Sequence, residues 1–148
     1  MKKYVIIMIL VLGCIQQDSE STFSDLTEDL ACLFPLDMVE EFVINSQEEY
    51  EMLLKYVSGS PTCENFVLPS IDFSQSTLLG KYTYGSGCSV TFERHVYIDD
   101  ANRQIIYSIT VIEEGNCEML GMSMNWIIIP KVPQGYSVVF EVQSQHSS

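Results

Sequence analysis

Basic residues are scarce in this chain. Its 148 residues include 7 Lys and Arg against 20 Asp and Glu, which gives a formal net charge of −13 at pH 7. A surface of this sign repels nucleic-acid phosphates and anionic lipid headgroups, so both are excluded as electrostatic partners. The charge is compatible with a basic partner or with divalent cations, although solubility at a crowded cell surface is the simpler interpretation.

Patterns typical of catalysis and metal binding are also missing. The chain has two histidines, His95 within a strand pattern and His146 in a polar terminus, and no G-x-S-x-G sequence. Adjacent acidic pairs occur at 99–100 and 113–114, but acid–base catalysis needs two carboxyl groups across a cleft, which adjacency does not indicate. We therefore predict a non-enzymatic protein with no metal and no cofactor.

No apolar run reaches the roughly 20 residues that a membrane-spanning helix requires. The longest one, Tyr4 to Leu12, follows Lys2 and Lys3 and is typical of a signal-peptide core. The next residues complete Val11-Leu12-Gly13-Cys14, which resembles the bacterial lipobox, whose cysteine is lipidated and becomes the new N-terminus. The alternative is an ordinary export signal with an incidental cysteine.

The resemblance to a lipobox implies a signal peptide at 1–13 and a membrane anchor of acyl chains on Cys14, each buried CH₂ contributing about 0.8 kcal/mol. Ile15 differs from the aspartate associated with inner-membrane retention, which favours the outer membrane. Residues 14–41 are predicted to comprise the lipidated cysteine, an acidic flexible tether to about Glu28 and an irregular lead-in with one helical turn. One domain follows at 42–142, and 143–148 is a polar tail.

Four cysteines remain once Cys14 is assigned to lipid: Cys32, Cys63, Cys88 and Cys117. An even number in an exported chain favours disulfides, and the absence of any C-x-x-C pair argues against zinc. Three pairings are possible. We favour Cys88–Cys117 with Cys32–Cys63, because the first pair flanks two adjacent predicted strands.

One helix is predicted between Ser46 and Val57. Ser46 and Glu49 have capping-box spacing, and the apolar residues that follow recur at helical spacing: Tyr50, Leu53, Leu54 and Val57. Gly59 and Pro61 end the pattern. A short strand, 42–44, precedes this helix.

The rest of the chain is predicted to be β-structure rich in Val, Ile, Thr, Tyr and Phe. The predicted strands are Thr77–Tyr84, Cys88–Ile98, Arg103–Ile112, Ser123–Ile129 and Ser137–Val142. Hairpin turns are predicted at 99–102 and 113–116, and short links favour antiparallel pairing. The fold class is α+β: a single domain of mostly antiparallel β-sheet with one main helix packed on it.

Aromatic and thioether residues are the candidate interface. Tyr82 and Tyr84 share one strand face, and a late cluster contains Met124 and Trp126. Such residues are typical anchors of protein interfaces. The alternative is that this stretch fills the core of a small domain.

Several segments resemble the protease-complex-subunit-B C-terminal type of domain, found in exported lipoproteins. They are Ser46-Gln-Glu-Glu-Tyr50, Pro69–Ser74 leading into Leu78-Leu-Gly80, Gly85–Val90, Trp126–Lys131 and Val138–Glu141. The chain departs from the family at Cys88, where tyrosine is usual. The resemblance implies a small non-catalytic α+β domain that sometimes assists a protease complex.

These observations predict a membrane-anchored exported lipoprotein of the cell envelope that binds a protein partner or assists assembly. Capture of a small ligand in a sheet pocket is the first alternative. A hydrolase that uses surface carboxylates, such as Asp99 or Glu113, is the second.

Overall fold

A computed structural model describes residues 19–33, 41–57 and 67–147. In these ranges six strands form one sheet beside a single α-helix, and all strand pairings but one are antiparallel. The elements are β1 (Ser19–Glu20), β2 (Ser24–Asp25), β3 (Glu41–Ile44), α1 (Gln47–Val57), β4 (Ser76–Asp99), β5 (Gln104–Pro130) and β6 (Ser137–Ser147). This mostly antiparallel sheet with one short helix confirms the broad α+β prediction.

The hairpin of β4 and β5 is the framework of the molecule. Its turn lies where the sequence predicts one, because Asp99 accepts hydrogen bonds from the backbone N–H of Asn102 at 3.0 Å and from its Nδ2 at 2.6 Å. Arg103 completes the turn with a φ of 53°. Local hydrogen bonds from aspartate and asparagine side chains to nearby backbone are a property of these residues, which explains why this turn is predictable from the sequence.

A bulge divides this hairpin into two arms. Pairing runs from Ser76 opposite Pro130 to Gly87 opposite Met119, and resumes at Ser89 opposite Glu114. Cys88 alone therefore lies opposite residues 115–118. The turn predicted at 113–116 is wrong, since β5 continues through it, and Gly85-Ser-Gly87 likewise lies within β4 and does not separate two strands. Gly115, with a φ of 73°, supplies the local irregularity.

We call the paired residues 76–87 and 119–130 arm A, and the paired residues 89–99 and 104–114 arm B. β3 pairs with β4 and β2 with β5 along arm A. β1 pairs with β4 along arm B, and β6 pairs with β5 on the opposite side. The β5–β6 pairing is parallel, which the sequence does not predict because only a short link separates the two strands.

The first core lies between α1 and one face of arm A. Ser46 Oγ accepts the Glu49 N–H at 3.2 Å, as the capping box predicts, while the Glu49 carboxylate reaches the Asn45 N–H at 2.6 Å. The helix then buries Tyr50 and Leu53. They pack in a cluster with the following residues of the sheet and the N-terminal segment: Leu30, Leu33, Leu78, Met124 and Trp126. The predicted helix is confirmed, and Tyr50, Leu53 and Leu54 of its predicted apolar face pack in this core.

The second core lies between the two arms. Leu79 and Ile127 of arm A pack with Val96, Tyr107 and Ile109 of arm B. Because successive side chains of a strand point to opposite faces, Leu78 contacts the helix side while Leu79 contacts arm B. The arms therefore fold over one another, and arm A is the middle layer.

A buried polar network also joins the arms. Asn125 is fully buried; its Oδ1 accepts a bond from Arg94 Nε at 2.9 Å, and its Nδ2 donates to Thr83 Oγ1 at 2.7 Å. Tyr107 donates its hydroxyl proton to the Asn125 carbonyl at 3.2 Å, and burial raises the pKa of Tyr107. Arg94, which interrupts the apolar face of its strand, thus has a partner across the interior.

The chain ends differ from the predicted tether and tail. In residues 19–28, β1 and β2 pair with arms B and A, and the Leu26 N–H donates to the Trp126 carbonyl at 2.9 Å. The backbone then makes a single turn, in which the Leu30 N–H donates to the Leu26 carbonyl at 2.9 Å, as predicted. At the other end, β6 continues to Ser147 through most of the predicted polar tail. Cys14 and residues 15–18 lie outside the described residues.

Candidate binding surface at the bend of the hairpin

Exposed apolar side chains collect where the hairpin bends. Five large apolar residues are 45% to 64% exposed: Tyr84 (63%), Met119 (64%), Leu120 (60%), Met122 (52%) and Val142 (45%). We call these five residues the bend patch. They make up most of the large apolar residues with high exposure in the described chain, so the patch is a local property and not a general feature of the surface.

Three residues of the patch, Tyr84, Leu120 and Met122, continue the face of arm A that carries the first core. Tyr84 lies opposite Met122, and Ser86 opposite Leu120, in the same alternation that places Gly80 opposite Trp126. The helix covers this face near Gly80, where Trp126 is fully buried. Farther along, towards the bulge, the same face is exposed.

A groove of about 490 Å³ lies beside the patch. One wall is formed by residues 81–86 of β4, and the other contains Val142 and Ser144 of β6. Because side chains alternate between faces, consecutive residues line one groove only where the edge of the strand faces it. The groove is therefore an opening between the edge of arm A and the edge of β6.

Glu113 links three strands at this opening. Its Oε1 accepts the Ser86 N–H of β4 at 2.6 Å, and its Oε2 lies 3.1 Å from Nε2 of His146 in β6. Glu113 itself is buried. The sequence suggests a solvated turn residue or a surface carboxylate at this position. The structure corrects this, because the side chain is turned inward and holds the walls of the groove.

Of the predicted interface residues, only Tyr84 is well exposed. Tyr82 is half-buried, with its ring centroid 6.3 Å from that of Tyr84. Met124 and Trp126 are buried, the latter completely, and the Trp126 Nε1–H donates to the Leu33 carbonyl at 3.3 Å. These two residues are core residues and cannot serve as interface anchors, which is the alternative that the sequence left open.

Leu120 and Val142 were missed as interface candidates. Leu120 lies on the same face as Trp126 if the strand alternation is continued back past residue 121, but the strand predicted to contain Trp126 began only at Ser123. Val142 contacts the groove through the parallel pairing of β6. Neither position has a local sequence signal, since its exposure depends on how the arms are folded.

The disulfide between Cys88 and Cys117 is confirmed. It spans the bulge and joins the single β4 residue there to the extra residues of β5. Cys32 is also disulfide-bonded. Its predicted partner, Cys63, lies outside the described residues.

The other residues considered for chemistry have structural contacts. His95 Nδ1 lies 3.2 Å from Glu20 Oε1, and its ring stacks on Tyr97. Asp99 holds the hairpin turn. Across residues 19–33, 41–57 and 67–147, no group of three or more His, Cys, Asp or Glu side chains is placed to hold a metal ion.

No helix within the described part of the chain is long and apolar enough to cross a membrane.

Comparison with known proteins found no match among family models, curated proteins or solved structures.

Proposed function

We propose that this protein is a lipid-anchored exported protein that binds a protein partner through the bend patch and performs no catalysis. The observation that carries the proposal is the bend patch itself, five exposed apolar side chains near the bend, of which Tyr84, Leu120 and Val142 line an open groove. Contiguous exposed apolar surface is unfavourable in water unless a partner covers it. A binding role therefore explains why this surface is apolar on a chain that is otherwise strongly acidic.

The composition of the patch supports a protein partner. Tyr84 supplies a rigid aromatic side chain with a hydroxyl group, which suits an interface that is apolar at its centre and wet at its rim. Met119 and Met122 add flexible thioether side chains that adapt to the shape of a partner. Leu120 and Val142 connect them to the groove.

The anchor in this proposal is lipid on Cys14, with the outer membrane favoured. Cys14→Ser is expected to release the protein from the membrane fraction of a cell that expresses it. Unchanged partitioning would contradict lipidation at this residue. The resemblance to the protease-complex-subunit-B C-terminal type of domain stays part of the proposal, and it adds a protease complex as one class of partner to test.

Crosslinking from native membranes, followed by capture of the protein, tests the binding role. Tyr84→Ala and Met122→Ala are expected to reduce recovery of one specific partner, because both shorten side chains of the patch. Val67→Ala is the matched control, since Val67 is 95% exposed but lies outside the patch. Equal recovery with all three variants would contradict a role for the patch.

Small-ligand binding is the second candidate function, and the volume of the groove favours it. About 490 Å³ falls within the range of roughly 300–1,000 Å³ that is common for ligand pockets. In that case, titration with a panel of metabolites would shift the NMR amide signals of Thr83 and Ser144, which line the groove, in the absence of a protein partner. Activity that depends on Asp99 or Glu113 would instead favour a hydrolase.

A further inference from the structure

We infer that the anchored protein stands with the turn of its main hairpin next to the membrane and the bend patch at the opposite end, so that the patch binds a water-exposed domain of a protein partner and not the bilayer. This inference rests on the proposed lipid anchor and binding function, and it specifies where the partner is bound. An exposed apolar patch on an anchored protein can be covered by a protein or by lipid, and the fold distinguishes the two.

The first observation is the end of the molecule from which the chain leads to the anchor. Ser19, the first described residue, lies opposite Ile98 of β4, and Glu20 lies opposite Tyr97. Because the two strands are antiparallel, β1 traced backwards from Glu20 to Ser19 runs towards the hairpin turn. The chain therefore leads to Cys14 from the turn end of arm B.

The second observation is the short length of chain between the sheet and the anchor. Ser19 follows Cys14 by five residue steps, and an extended chain covers at most about 3.6 Å per step, so the two residues lie within about 18 Å of each other. This limit holds for any conformation of residues 15–18. The pairing of β1 and β2 with the arms takes residues 19–28 out of the predicted flexible tether. The turn end is therefore held close to the lipid.

The third observation is the distance from this end to the patch. Ile98 and Ser89 are nine residue steps apart in arm B, which at about 3.3 Å per step places the bulge about 30 Å from the level of Ser19. Met119 and Leu120 follow directly after the bulge in β5. This part of the patch thus lies farther from Ser19 than the anchor can reach, and it points into water when the turn end faces the membrane.

Charge opposes the alternative in which the molecule lies on its side with the patch in the bilayer. Glu114 and Glu118 are exposed on the bulge beside Met119, and Glu141 is exposed beside Val142. Insertion of the patch would bring these carboxylates to the lipid headgroups, where they lose hydration and are repelled by anionic lipids. Helices that lie on membranes carry Lys and Arg around their apolar residues. A polar rim around an apolar centre is instead the usual composition of a protein interface.

Energy transfer between a fluorescent amino acid and a headgroup-labelled acceptor lipid tests the orientation. The mature protein is purified from membranes in detergent and reconstituted in phosphatidylcholine vesicles. Ala101 in the turn and Asn116 in the bulge are replaced in separate variants, since both are exposed and neither belongs to the patch. Transfer from residue 101 is expected to exceed that from residue 116 by about threefold or more, because the two positions lie at opposite ends of arm B. Cys14→Ser should abolish transfer from both.

Photo-crosslinking in the same vesicles gives a second readout. A crosslinking amino acid in place of Ala101 should form lipid adducts, and one in place of Leu120 should not. Equal or greater transfer from residue 116, or lipid adducts at residue 120, would overturn the inference and leave the lipid anchor in place. Transfer that survives Cys14→Ser would overturn the anchor and the inference together. Recovery of the crosslinked partner with Tyr84→Ala is measured separately, so the patch function can stand when the orientation fails.

Discussion

Removal of the Cys88–Cys117 disulfide, by replacing both cysteines with serine, tests the interpretation that this bond stabilises the bend. The cysteines are separated by 29 residues, and cross-linking a loop of that length lowers the entropy of the unfolded chain by an amount equivalent to about 3.6 kcal/mol at 25 °C. The expected loss of unfolding free energy is therefore about 3.6 kcal/mol. This is a large share of the 5–15 kcal/mol typical of native proteins.

Urea denaturation measures this loss. With a slope of about 1.5 kcal/mol per molar urea, the midpoint is expected to fall by roughly 2.4 M. Hydrogen exchange adds a local readout, because amides of residues 115–118 lie in the bulge and should lose protection first. Gly115→Ala keeps both cysteines but is also expected to lower the midpoint, because an L side chain is strained at a φ of 73° and its Cβ would lie 2.7 Å from Cys88 Sγ. A double serine variant with an unchanged midpoint would refute the reasoning.

Three further predictions concern the two cores. Trp126→Ala removes a fully buried side chain and is expected to lower the unfolding free energy by about 3–5 kcal/mol, measured in urea; a value near zero would contradict its place in the core. Gly80→Ala is expected to destabilise by about 1–3 kcal/mol, because the added Cβ would overlap the Trp126 ring, and a neutral result by the same measurement would contradict that contact. Tyr107→Phe is expected to lower stability by about 1 kcal/mol at neutral pH through loss of the bond to Asn125. Because the folded pKa of Tyr107 is raised by burial, its contribution is complete below the ordinary tyrosine value of about 10 and is lost as the pH rises above it. Denaturation from about pH 8 to about pH 11 should therefore show a smaller alkaline loss in the Phe variant than in the wild type, and parallel curves would contradict this.

Local signals in the sequence were sufficient for the helix and the main hairpin turn. Ser46 and Glu49 form a cap from residues three positions apart, and Asp99 and Asn102 form a turn in the same way. The Cys88–Cys117 pairing was also predictable, because the two cysteines flank predicted neighbouring strands. Each of these features depends on near neighbours or on one pairing of strands.

The features that define the candidate site depend on distant contacts. The Glu-Glu-Gly-Asn segment at 113–116 has turn composition, but the chain there forms a bulge, since Gly115 allows a positive φ without reversal of the strand. Trp126 has the composition of an interface anchor but lies under α1 and the N-terminal segment. The groove beside residues 81–86 of β4 depends on the parallel pairing of β6 with β5, which places Val142 and Ser144 on its other wall.

The length of the β4–β5 hairpin has a consequence for the order of folding. Asp99 pairs with Gln104 across a short loop, whereas Ser76 pairs with Pro130 across most of the domain. Closing the longer loop costs about 2 kcal/mol more chain entropy, so arm B is expected to form first, growing from the turn, and arm A later. Oxidation of Cys88 and Cys117 joins the strands at the start of arm A, and the remaining pairs can then form step by step from that point. In the reduced chain the pairs of arm A can form only after arm B has formed. The disulfide is therefore expected to increase the folding rate of arm A, on which α1 packs, as well as its stability.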